Sequence, residues 1–392
     1  MRQSRKKWER RREVHRNKLA AVIFVIMMIA FCVVNLATGD REFSATENRA
    51  LEQRPELTIS GIESGRWMEQ YESYVSDQLA GRDFWVMLKS RVDLLAGKRK
   101  ANGVFKGKDH YLLEDIAKPD EDQMKENLSA MKKFQKQYKD IPMYMMLVPN
   151  AANIESDKLP GYAVTENQEK QFKAIHSTLG SVYTWVDVSD ILKKHRSEEI
   201  YYHTDHHWTT LGAYYGYQAL SKSMKLDTSK TSDMKPYAVT NAFNGTLAST
   251  SGYETGYDEP IYIYAPDNLK NATEVVVNNV NEKKKTATLY DTSKLKGKDK
   301  YALFLGGNYP ILDIKTTADS TDRLLIIKDS YANSLIPFLI PYYREIVVVD
   351  PRYYYDDIEK VMKKDNITSV LFLYNGNTFV KDNSISGVLQ ND

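Results

Sequence analysis

An uncharged segment near the amino terminus constrains this chain more than any other feature. The 20 residues 19–38 carry no charged side chain, and nine lysines and arginines precede them in residues 1–18. A helix of 20 residues is about 30 Å long, enough to cross the hydrocarbon core of a bilayer. Because basic flanks of membrane helices stay in the cytoplasm, residues 39–392 are expected outside. The sequence therefore predicts a single-pass protein of the cell membrane with a large extracytoplasmic part.

Two other interpretations of this segment are a cleaved secretory signal and a lipoprotein signal. The apolar core of a cleaved signal is shorter, roughly 7 to 15 residues, and ends in a small-residue cleavage site. Here the run is longer, and VVNLATGD is a poor cleavage site. Cys32 follows Phe31, where lipidation requires a small residue, and apolar residues continue beyond it. An uncleaved anchor is the favoured interpretation.

The charge of the outer part argues against a nucleic-acid partner. The totals are 54 basic and 52 acidic residues; without the nine basic and two acidic residues of the tail, 45 and 50 remain, a net charge of −5. This balance predicts no basic stripe for nucleic acid. The only cysteine lies in the apolar segment, so the outer part has no disulfide. Its stability must come from the core that about 350 residues can bury.

Short apolar runs alternate with helical stretches over much of the outer part. Residues 39–100 read as a juxtamembrane stalk followed by two short amphipathic helices that Gly81 separates, and NGVFKGKDHYLLE reads as a hairpin. The predicted strands are IPMYMMLVP, SVYTWVDV, RLLIIKDS, REIVVVD and SVLFLYN. The predicted helices cover residues 121–139, 166–179, a stretch from Thr210, 333–343 and 356–364. This alternation predicts an α/β fold with a mostly parallel sheet covered by helices on both faces.

Residues 226–322 interrupt the alternation. They are rich in Thr, Asn, Lys and Tyr, with β-like pieces such as EPIYIYA and KKTATLYD. We interpret them as an irregular, β-rich insertion on the α/β core and not as a separate domain. The predicted organisation is a cytoplasmic tail at 1–18, an anchor at 19–38, a stalk with helices at 39–100 and an extracytoplasmic domain at 101–392.

Ser330 follows the apolar run RLLIIKD, at the carboxyl end of a predicted strand. In an open α/β sheet, ligands bind beyond the carboxyl ends of the strands. A serine there is exposed, and its backbone N–H at the start of a helix can stabilise an oxyanion. Serine is also a common helix cap, so Ser330 alone does not identify a nucleophile.

Three of the seven histidines lie in YYHTDHHWTTLGAYY, residues 201–215. A serine nucleophile needs a neutral imidazole as base, and that imidazole needs a carboxylate to hold its tautomer. Asp205 and His207 are two residues apart, so in an extended segment their side chains point the same way. The expected helix start after His207 disfavours the imidazolium form. Trp208 is expected either to pack beneath the site or to stack on a sugar ring.

Zinc binding and a purely structural role are the alternatives for this cluster. His203, His206 and His207 could bind zinc together with Asp205. Catalytic zinc sites, however, usually recruit ligands from separate elements of the fold. We therefore predict neither a metal nor a cofactor.

The order of TDHHWT and, far downstream, KDSYANS resembles the DHHW family of the SGNH-hydrolase superfamily. It is similar in arrangement to alginate O-acetyltransferases of the AlgJ/AlgX type. The resemblance includes ENRALEQRP, YVSDQLAGRD, NGVFKGKDHYL, LVPNAANIESDKLP and DPRYY, and so spans nearly the whole outer part. It implies an SGNH-like fold in which Asp205 is the acid, His207 the base and Ser330 the nucleophile. Trp208 is then the motif tryptophan, and His206 takes the variable position.

Two departures from the superfamily pattern affect the oxyanion hole. Lys328 stands where many members have the glycine of Gly-Asp-Ser, so the turn into Ser330 is expected to differ. The oxyanion glycine and asparagine cannot be identified by motif. The candidates for oxyanion or substrate contacts are Gly307 and Asn308 in LGGNYP, Asn150 in VPN, Asn375 in LYNGN, and Tyr331, together with Trp208.

The resemblance implies a serine acyl-ester enzyme, foremost an O-acetyltransferase that modifies a cell-surface polysaccharide through an acetyl-serine. The alternatives are a carbohydrate acetylesterase with the same residues and a catalytically silent polysaccharide-binding or assembly protein. Acetyl-coenzyme A is cytoplasmic, and the outer part has no glycine-rich phosphate cradle. The expected acetyl donor is therefore a separate multi-pass membrane acyltransferase.

Overall fold

The computed structural model describes residues 2–44, 49–268 and 272–390. The chain divides into two compact units, Met1–Val92 and Asp93–Asp392, which are described separately here. This division lies slightly before residue 101, where we expected the extracytoplasmic domain to begin.

The first unit is mainly helical. Its elements are α1 (Arg2–Ala37), β1 (Phe43–Ser44), β2 (Arg49–Ala50), α2 (Ile59–Glu63), α3 (Arg66–Asp77) and the start of α4 (Arg82–Leu95). Strands β1 and β2 pair antiparallel. The predicted break between two short helices is confirmed at Gly81, whose φ of +67° is a conformation that glycine adopts without steric cost.

The apolar part of α1 is a candidate single-pass anchor. Among the described residues, one helical stretch, Arg12–Ala37, is long and apolar enough to cross a membrane, and none of its most apolar window is buried. A signal sequence near the amino terminus has the same properties.

The second unit contains a large mixed sheet together with further strands outside that sheet. Its strands are β3 (Lys100–Ala101), β4 (Val104–Lys106), β5 (Leu112–Glu114), β6 (Met143–Val148), β7 (Thr184–Trp185), β8 (Met234–Phe243), β9 (Glu259–Pro266), β10 (Val275–Asn279), β11 (Lys284–Thr286), β12 (Ile311–Thr316), β13 (Arg323–Lys328), β14 (Glu345–Val349) and β15 (Ser369–Asn375). Its further helices are α5 (Glu121–Gln137), α6 (Ala151–Ile154), α7 (Gln168–Leu179), α8 (Ser189–Lys194), α9 (Thr210–Met224), α10 (Thr246–Ser251), α11 (Ile358–Lys364), α12 (Gly376–Lys381) and α13 (Ile385–Leu389). Short 3-10 helices cover Ser156–Lys158, Thr228–Thr231, Thr292–Lys296, Lys300–Leu303, Ser330–Ser334 and Ile336–Tyr342.

The described strands of the main sheet follow the order β11-β10-β12-β14-β13-β15-β6-β7. The strands from β14 to β7 run parallel, whereas β12, β10 and β11 extend the sheet in antiparallel pairs. The predicted mostly parallel α/β sheet is therefore confirmed. Residues 226–322 are more than a peripheral insertion, because three of their strands belong to this sheet.

The central strands are buried on both faces, as their continuous apolar sequences predict. In β13, Leu324 and Ile326 face one hydrophobic core, and Leu325 and Ile327 face the other. Because β13 lies between β14 and β15, Ser330 emerges near the middle of the carboxyl edge.

One predicted helix takes a different form. Residues 333–343 were expected to be α-helical, but the chain there forms the 3-10 segments Ser330–Ser334 and Ile336–Tyr342. Pro337 and Pro341 have no backbone N–H to donate, which disfavours a continuous α-helix.

Candidate active site

Asp205, His207 and Ser330 form a continuous row of hydrogen bonds at the carboxyl edge of the sheet. His207 Nδ1 lies 2.6 Å from Asp205 Oδ1, and His207 Nε2 lies 2.7 Å from Ser330 Oγ. Because a carboxylate can only accept, Nδ1 carries the proton and Nε2 accepts from the Ser330 hydroxyl. Ser330 is partly exposed, whereas the other two residues are buried. The structure thus brings together the three residues that the sequence selected.

The loop that carries Asp205 and His207 is held at both ends. Tyr201 and Trp208 form an antiparallel bridge, and the Thr209 hydroxyl caps α9 by accepting the Gly212 N–H at 3.2 Å. The loop between them is bent and not extended as expected. The Asp205 carboxylate consequently also accepts the His207 backbone N–H, at 3.0 Å.

Thr246, at the start of α10, completes the surroundings of Asp205. Its backbone N–H and its hydroxyl lie 2.8 and 2.9 Å from Asp205 Oδ2. A Cβ added to Gly245 would lie 2.6 Å from the same oxygen, so this approach requires glycine. Burial by itself would raise the pKa of the Asp205 carboxyl, but His206, His207 and the Thr246 N–H outweigh it and hold the pKa well below its usual range. Asp205 is therefore a fixed negative charge behind His207.

The imidazole of His207 lies between two other rings. Tyr301 stacks on it with centroids 3.7 Å apart and planes inclined by 9°, and His206 lies 3.9 Å away at 38°. The ring of Tyr301 is thus nearly parallel to that of His207, whereas the ring of His206 is tilted against it. Tyr301 is buried, whereas the side chain of His206 is 29% exposed. Of the two rings beside His207, that of His206 is therefore the one that solvent reaches.

Trp208 and Tyr331 support the site from beneath. Trp208 Nε1 donates to the Tyr331 carbonyl at 3.0 Å and to Ser334 Oγ at 3.1 Å, and the Tyr331 hydroxyl donates to the His206 carbonyl. Both side chains are fully buried. A Cβ on Gly216 would lie 2.6 Å from the Trp208 indole, so α9 packs closely on it. Their burial favours the first of the two expectations for Trp208, packing beneath the site, and the substrate contacts of Trp208 and Tyr331 stay a prediction.

Lys328 does not need to be glycine in this structure. The φ of Asp329 is −107°, and neither Lys328 nor Ser330 adopts the left-handed conformation. The side chain of Lys328 is instead buried, with Nζ 3.2 Å from Asp350 Oδ2, and Asp350 also accepts two hydrogen bonds from the guanidinium of Arg352. Burial lowers the pKa of Lys328 against the attraction of Asp350. This ion cluster fixes the ends of β13 and β14 beside Ser330.

The predicted oxyanion donors differ in how far the protein already engages them. Among the described residues the Ser330 N–H has no protein acceptor, so it remains free at the nucleophile. Asn308 Oδ1 accepts from Lys328 Nζ at 2.8 Å and from Asn333 Nδ2 at 3.2 Å, which leaves its own amide hydrogens available. The neighbouring Gly307 has a φ of +121°.

Asn150 and Asn375 are buried, and their side chains hold neighbouring segments together. Asn150 Nδ2 donates to Glu114 at 2.9 Å, and its Oδ1 accepts from Gln168 at 2.7 Å. Asn375 Nδ2 donates to the Val148 carbonyl at 3.3 Å. These contacts assign both asparagines a structural task, and their predicted oxyanion role stays a prediction.

His203 separates from the other two histidines. Its Nδ1 lies 3.3 Å from Glu259 Oε2, which also accepts the His203 N–H at 2.8 Å. Asp205, His206 and His207 have potential metal-ligand atoms within 4.8 Å of one another. Both nitrogens of His207 are engaged, by Asp205 and by Ser330, so a metal ion at His207 would have to displace one of these hydrogen bonds. The expectation that no metal or cofactor takes part stays a prediction.

Sequence reasoning missed Thr246 and Tyr301, which both come from the β-rich residues 226–322. The pair Gly245-Thr246 in NAFNGTLAST is typical of a helix start, but nothing in it indicates a contact with Asp205. Tyr301 is one of 27 tyrosines and carries no local signal.

Comparisons with known proteins agree with this architecture. A family model described as DHHW protein matches residues 128–349, more than half of the chain. No curated protein matches.

Three solved structures illustrate the similarity. A DHHW family protein from Eubacterium siraeum DSM 15702 is 24% identical with a TM-score of 0.60, over 75% of this chain and 96% of that one. Bacillus cereus PatB1 is 20% identical with a TM-score of 0.61, over 73% and 99%. The O-acetyltransferase domain of Pseudomonas putida AlgJ is 16% identical with a TM-score of 0.46, over 72% and 94%. At these identities the first two structures show a similarity of fold alone, and the family match shows that the chain belongs to the DHHW family.

Proposed function

We propose that this protein is a membrane-anchored, extracytoplasmic O-acetyltransferase that modifies a cell-surface polysaccharide through an acetyl-serine. The observation that carries the proposal is the hydrogen-bonded row from Asp205 through His207 to Ser330. This row has the geometry of an activated serine, with base and nucleophile 2.7 Å apart. Acetyl as the group transferred and polysaccharide as the acceptor rest on the motif resemblance to the O-acetyltransferases.

In the first half-reaction, His207 Nε2 takes the proton of Ser330 Oγ as that oxygen attacks the acetyl carbonyl of the donor. The Ser330 N–H stabilises the oxyanion, with Asn308 as a candidate second donor. The leaving group takes the proton from His207, and an acetyl-serine remains. Asp205 stays ionised throughout and holds Nδ1 of His207 protonated.

In the second half-reaction, a sugar hydroxyl attacks the acetyl-serine. His207 Nε2 takes the proton of this hydroxyl, the bond between Ser330 Oγ and the acetyl carbon breaks, and Ser330 recovers its proton from His207. If water attacks instead, the same residues release acetate. Exclusion of water and orientation of the acceptor therefore decide between transfer and hydrolysis.

The acetyl group is supplied by a separate multi-pass membrane acyltransferase. Acetyl-coenzyme A is confined to the cytoplasm, and one membrane helix cannot form a conduit for it. The apolar part of α1 serves as an anchor that keeps Ser330 near the exit of this partner. Such tethering raises the effective concentration of the two sites without a large interface.

The test is a set of single and combined substitutions at the row. Ser330→Ala, His207→Ala and Asp205→Asn are each expected to lower turnover of an acetyl ester by at least about a hundredfold, and their combination should add little, because they act as a unit. Ser177→Ala, on the exposed face of α7, is the matched control and should leave turnover unchanged. Wild-type-like turnover in Ser330→Ala would refute the assignment.

A covalent probe gives an independent readout of the nucleophile. PatB1 has been solved with a sulfonyl adduct. A sulfonyl fluoride should add one sulfonyl group to the wild-type protein and none to Ser330→Ala, as read by intact mass. Labelling that persists in Ser330→Ala places the nucleophile elsewhere. Loss of activity in a chelator together with a strict need for His206 would favour the zinc alternative.

A further inference from the structure

His206 presents a free acceptor nitrogen beside the base. Its Nδ1 lies 2.8 Å from Thr246 Oγ1. Within the described part of the chain, its Nε2 has no protein partner. This nitrogen is also not buried. With 29% of the side chain exposed, this nitrogen is open to solvent.

The contacts of Thr246 decide which nitrogen of His206 carries the proton. The Thr246 hydroxyl lies 2.9 Å from Asp205 Oδ2, which can only accept, so the single hydroxyl hydrogen points at Asp205. Thr246 Oγ1 must therefore accept from His206, and Nδ1 of His206 is the protonated nitrogen. Burial and the neighbouring His207 lower the pKa of His206, which favours the neutral ring. The neutral ring then offers a lone pair at Nε2.

The ring that carries this lone pair lies directly beside the base, because the ring centroids of His206 and His207 are 3.9 Å apart. Of the two rings next to His207, Tyr301 is buried and His206 is partly exposed. The His206 carbonyl is fixed by the Tyr331 hydroxyl, so its backbone cannot shift freely. We therefore expect a molecule that contacts His207 and Ser330 to lie within reach of His206.

We propose that His206 Nε2 accepts a hydrogen bond from the hydroxyl next to the one that becomes acetylated, so that the preferred acceptor is a sugar residue with a vicinal diol. This inference rests on the proposed acetyl transfer and specifies its acceptor. The attacking hydroxyl gives its proton to His207 Nε2 while its oxygen bonds to the acetyl carbon. The neighbouring hydroxyl keeps its proton and shares it with His206. His206 is thus a positioning residue, with no covalent part in the reaction.

Two hydrogen bonds to adjacent hydroxyls orient the acceptor in a way that water cannot reproduce. A diol that donates to Nε2 of both His206 and His207 holds its attacking oxygen at the acetyl carbon. This orientation favours transfer over hydrolysis. One neutral hydrogen bond contributes a factor of about threefold to tenfold. This factor should appear in the preference for a diol over a matched mono-alcohol.

The experiment uses the full-length protein in detergent with 4-nitrophenyl acetate as the acetyl source. The acceptors are cis-1,2-cyclohexanediol and cyclohexanol, and the readout is acetylated alcohol relative to released acetate. Each ratio is measured within one preparation, so partial misfolding of a variant cancels. After correction for its two hydroxyls, the diol should be preferred about threefold to tenfold by the wild type.

Two substitutions distinguish the role of Nδ1 of His206 from that of Nε2. In His206→Asn the amide can still donate to Thr246 but has no atom at the position of Nε2, and the diol preference should vanish. In His206→Gln the longer amide can place an acceptor oxygen there, and part of the preference should remain. An equal diol preference in the wild type and His206→Asn overturns the inference, as does a wild type without the preference. Ester hydrolysis that needs Ser330 but acetylates neither alcohol overturns the proposed transferase function and the inference together.

Discussion

The buried Glu155 should make the stability of this protein fall as the pH rises. The residue is only 1% exposed, and its Oε1 has no hydrogen-bond partner within the part of the chain that the structure describes. Burial, reinforced by Asp157, raises its pKa to about 7 from an ordinary value of 4.5, although Lys158, Arg196 and His203 oppose the change. The folded state therefore binds the proton more tightly than the unfolded state does.

The sign and the size of the effect follow from these two values. The stabilisation is fully present below about pH 4.5 and is lost as the pH rises through about 7. The gap between the two pKa values corresponds to about 3 kcal/mol, because each pH unit is worth about 1.4 kcal/mol. Between about pH 5 and pH 8, Glu155 should cost the protein about 2.5 kcal/mol of unfolding free energy.

The assay is urea unfolding of wild type and Glu155→Gln at several values between about pH 5 and pH 8. Glutamine matches the protonated carboxyl in shape but does not ionise, so its advantage over wild type should grow by about 2.5 kcal/mol across this range. Glu166→Gln, at an exposed position, should follow the wild-type profile. A constant difference between wild type and Glu155→Gln at all pH values would refute the reasoning.

Three further predictions concern the site and its surroundings. Thr246→Val keeps the backbone N–H to Asp205 but removes the hydroxyl, and should lower ester turnover about tenfold because a hydrogen bond to a charged group is lost; Thr246→Ser should restore it. Protease added to intact spheroplasts should digest the domain that carries Ser330, and full protection would contradict the expected topology. The purified protein should release acetate from an activated ester yet fail to acetylate polymer with acetyl-coenzyme A, and deletion of the membrane acyltransferase should abolish polymer acetylation as completely as Ser330→Ala does. Acetylation from acetyl-coenzyme A alone would contradict the need for a partner.

The parts of the fold that local patterns determine could be predicted from the sequence. SVLFLYN became β15 with its full predicted length, and RLLIIK became β13, because continuous apolar runs are typical of strands buried on both faces. The proximity of Asp205 and His207 to Ser330 could be predicted as well. The motif places Asp205 and His207 together, and the carboxyl end of a central strand independently places Ser330.

The contacts that join distant segments could not be predicted. Thr246 reaches Asp205 across 41 positions, and Tyr301 reaches His207 through a ring contact that no spacing indicates. The environment of Trp208 could not be predicted. An aromatic residue beside a catalytic motif has the same local sequence pattern whether it is buried or exposed. The place of residues 226–322 in the main sheet could not be predicted, because it depends on the antiparallel pairing of β12 with β14, which no local pattern indicates.

The strand order has a consequence for the route by which the chain reaches its folded state. Strand β6 pairs with β15, and Met143 lies opposite Val370. The paired residues, such as Val148 and Asn375, are 227 positions apart in the sequence. Until β15 is available, β6 has an apolar, unpaired edge, and the parallel strands cannot close. Such high contact order slows folding and exposes aggregation-prone edges. A chain that is synthesised from its amino terminus must therefore keep one edge of β6 unpaired until β15, the last strand of the sheet in the chain, has been made.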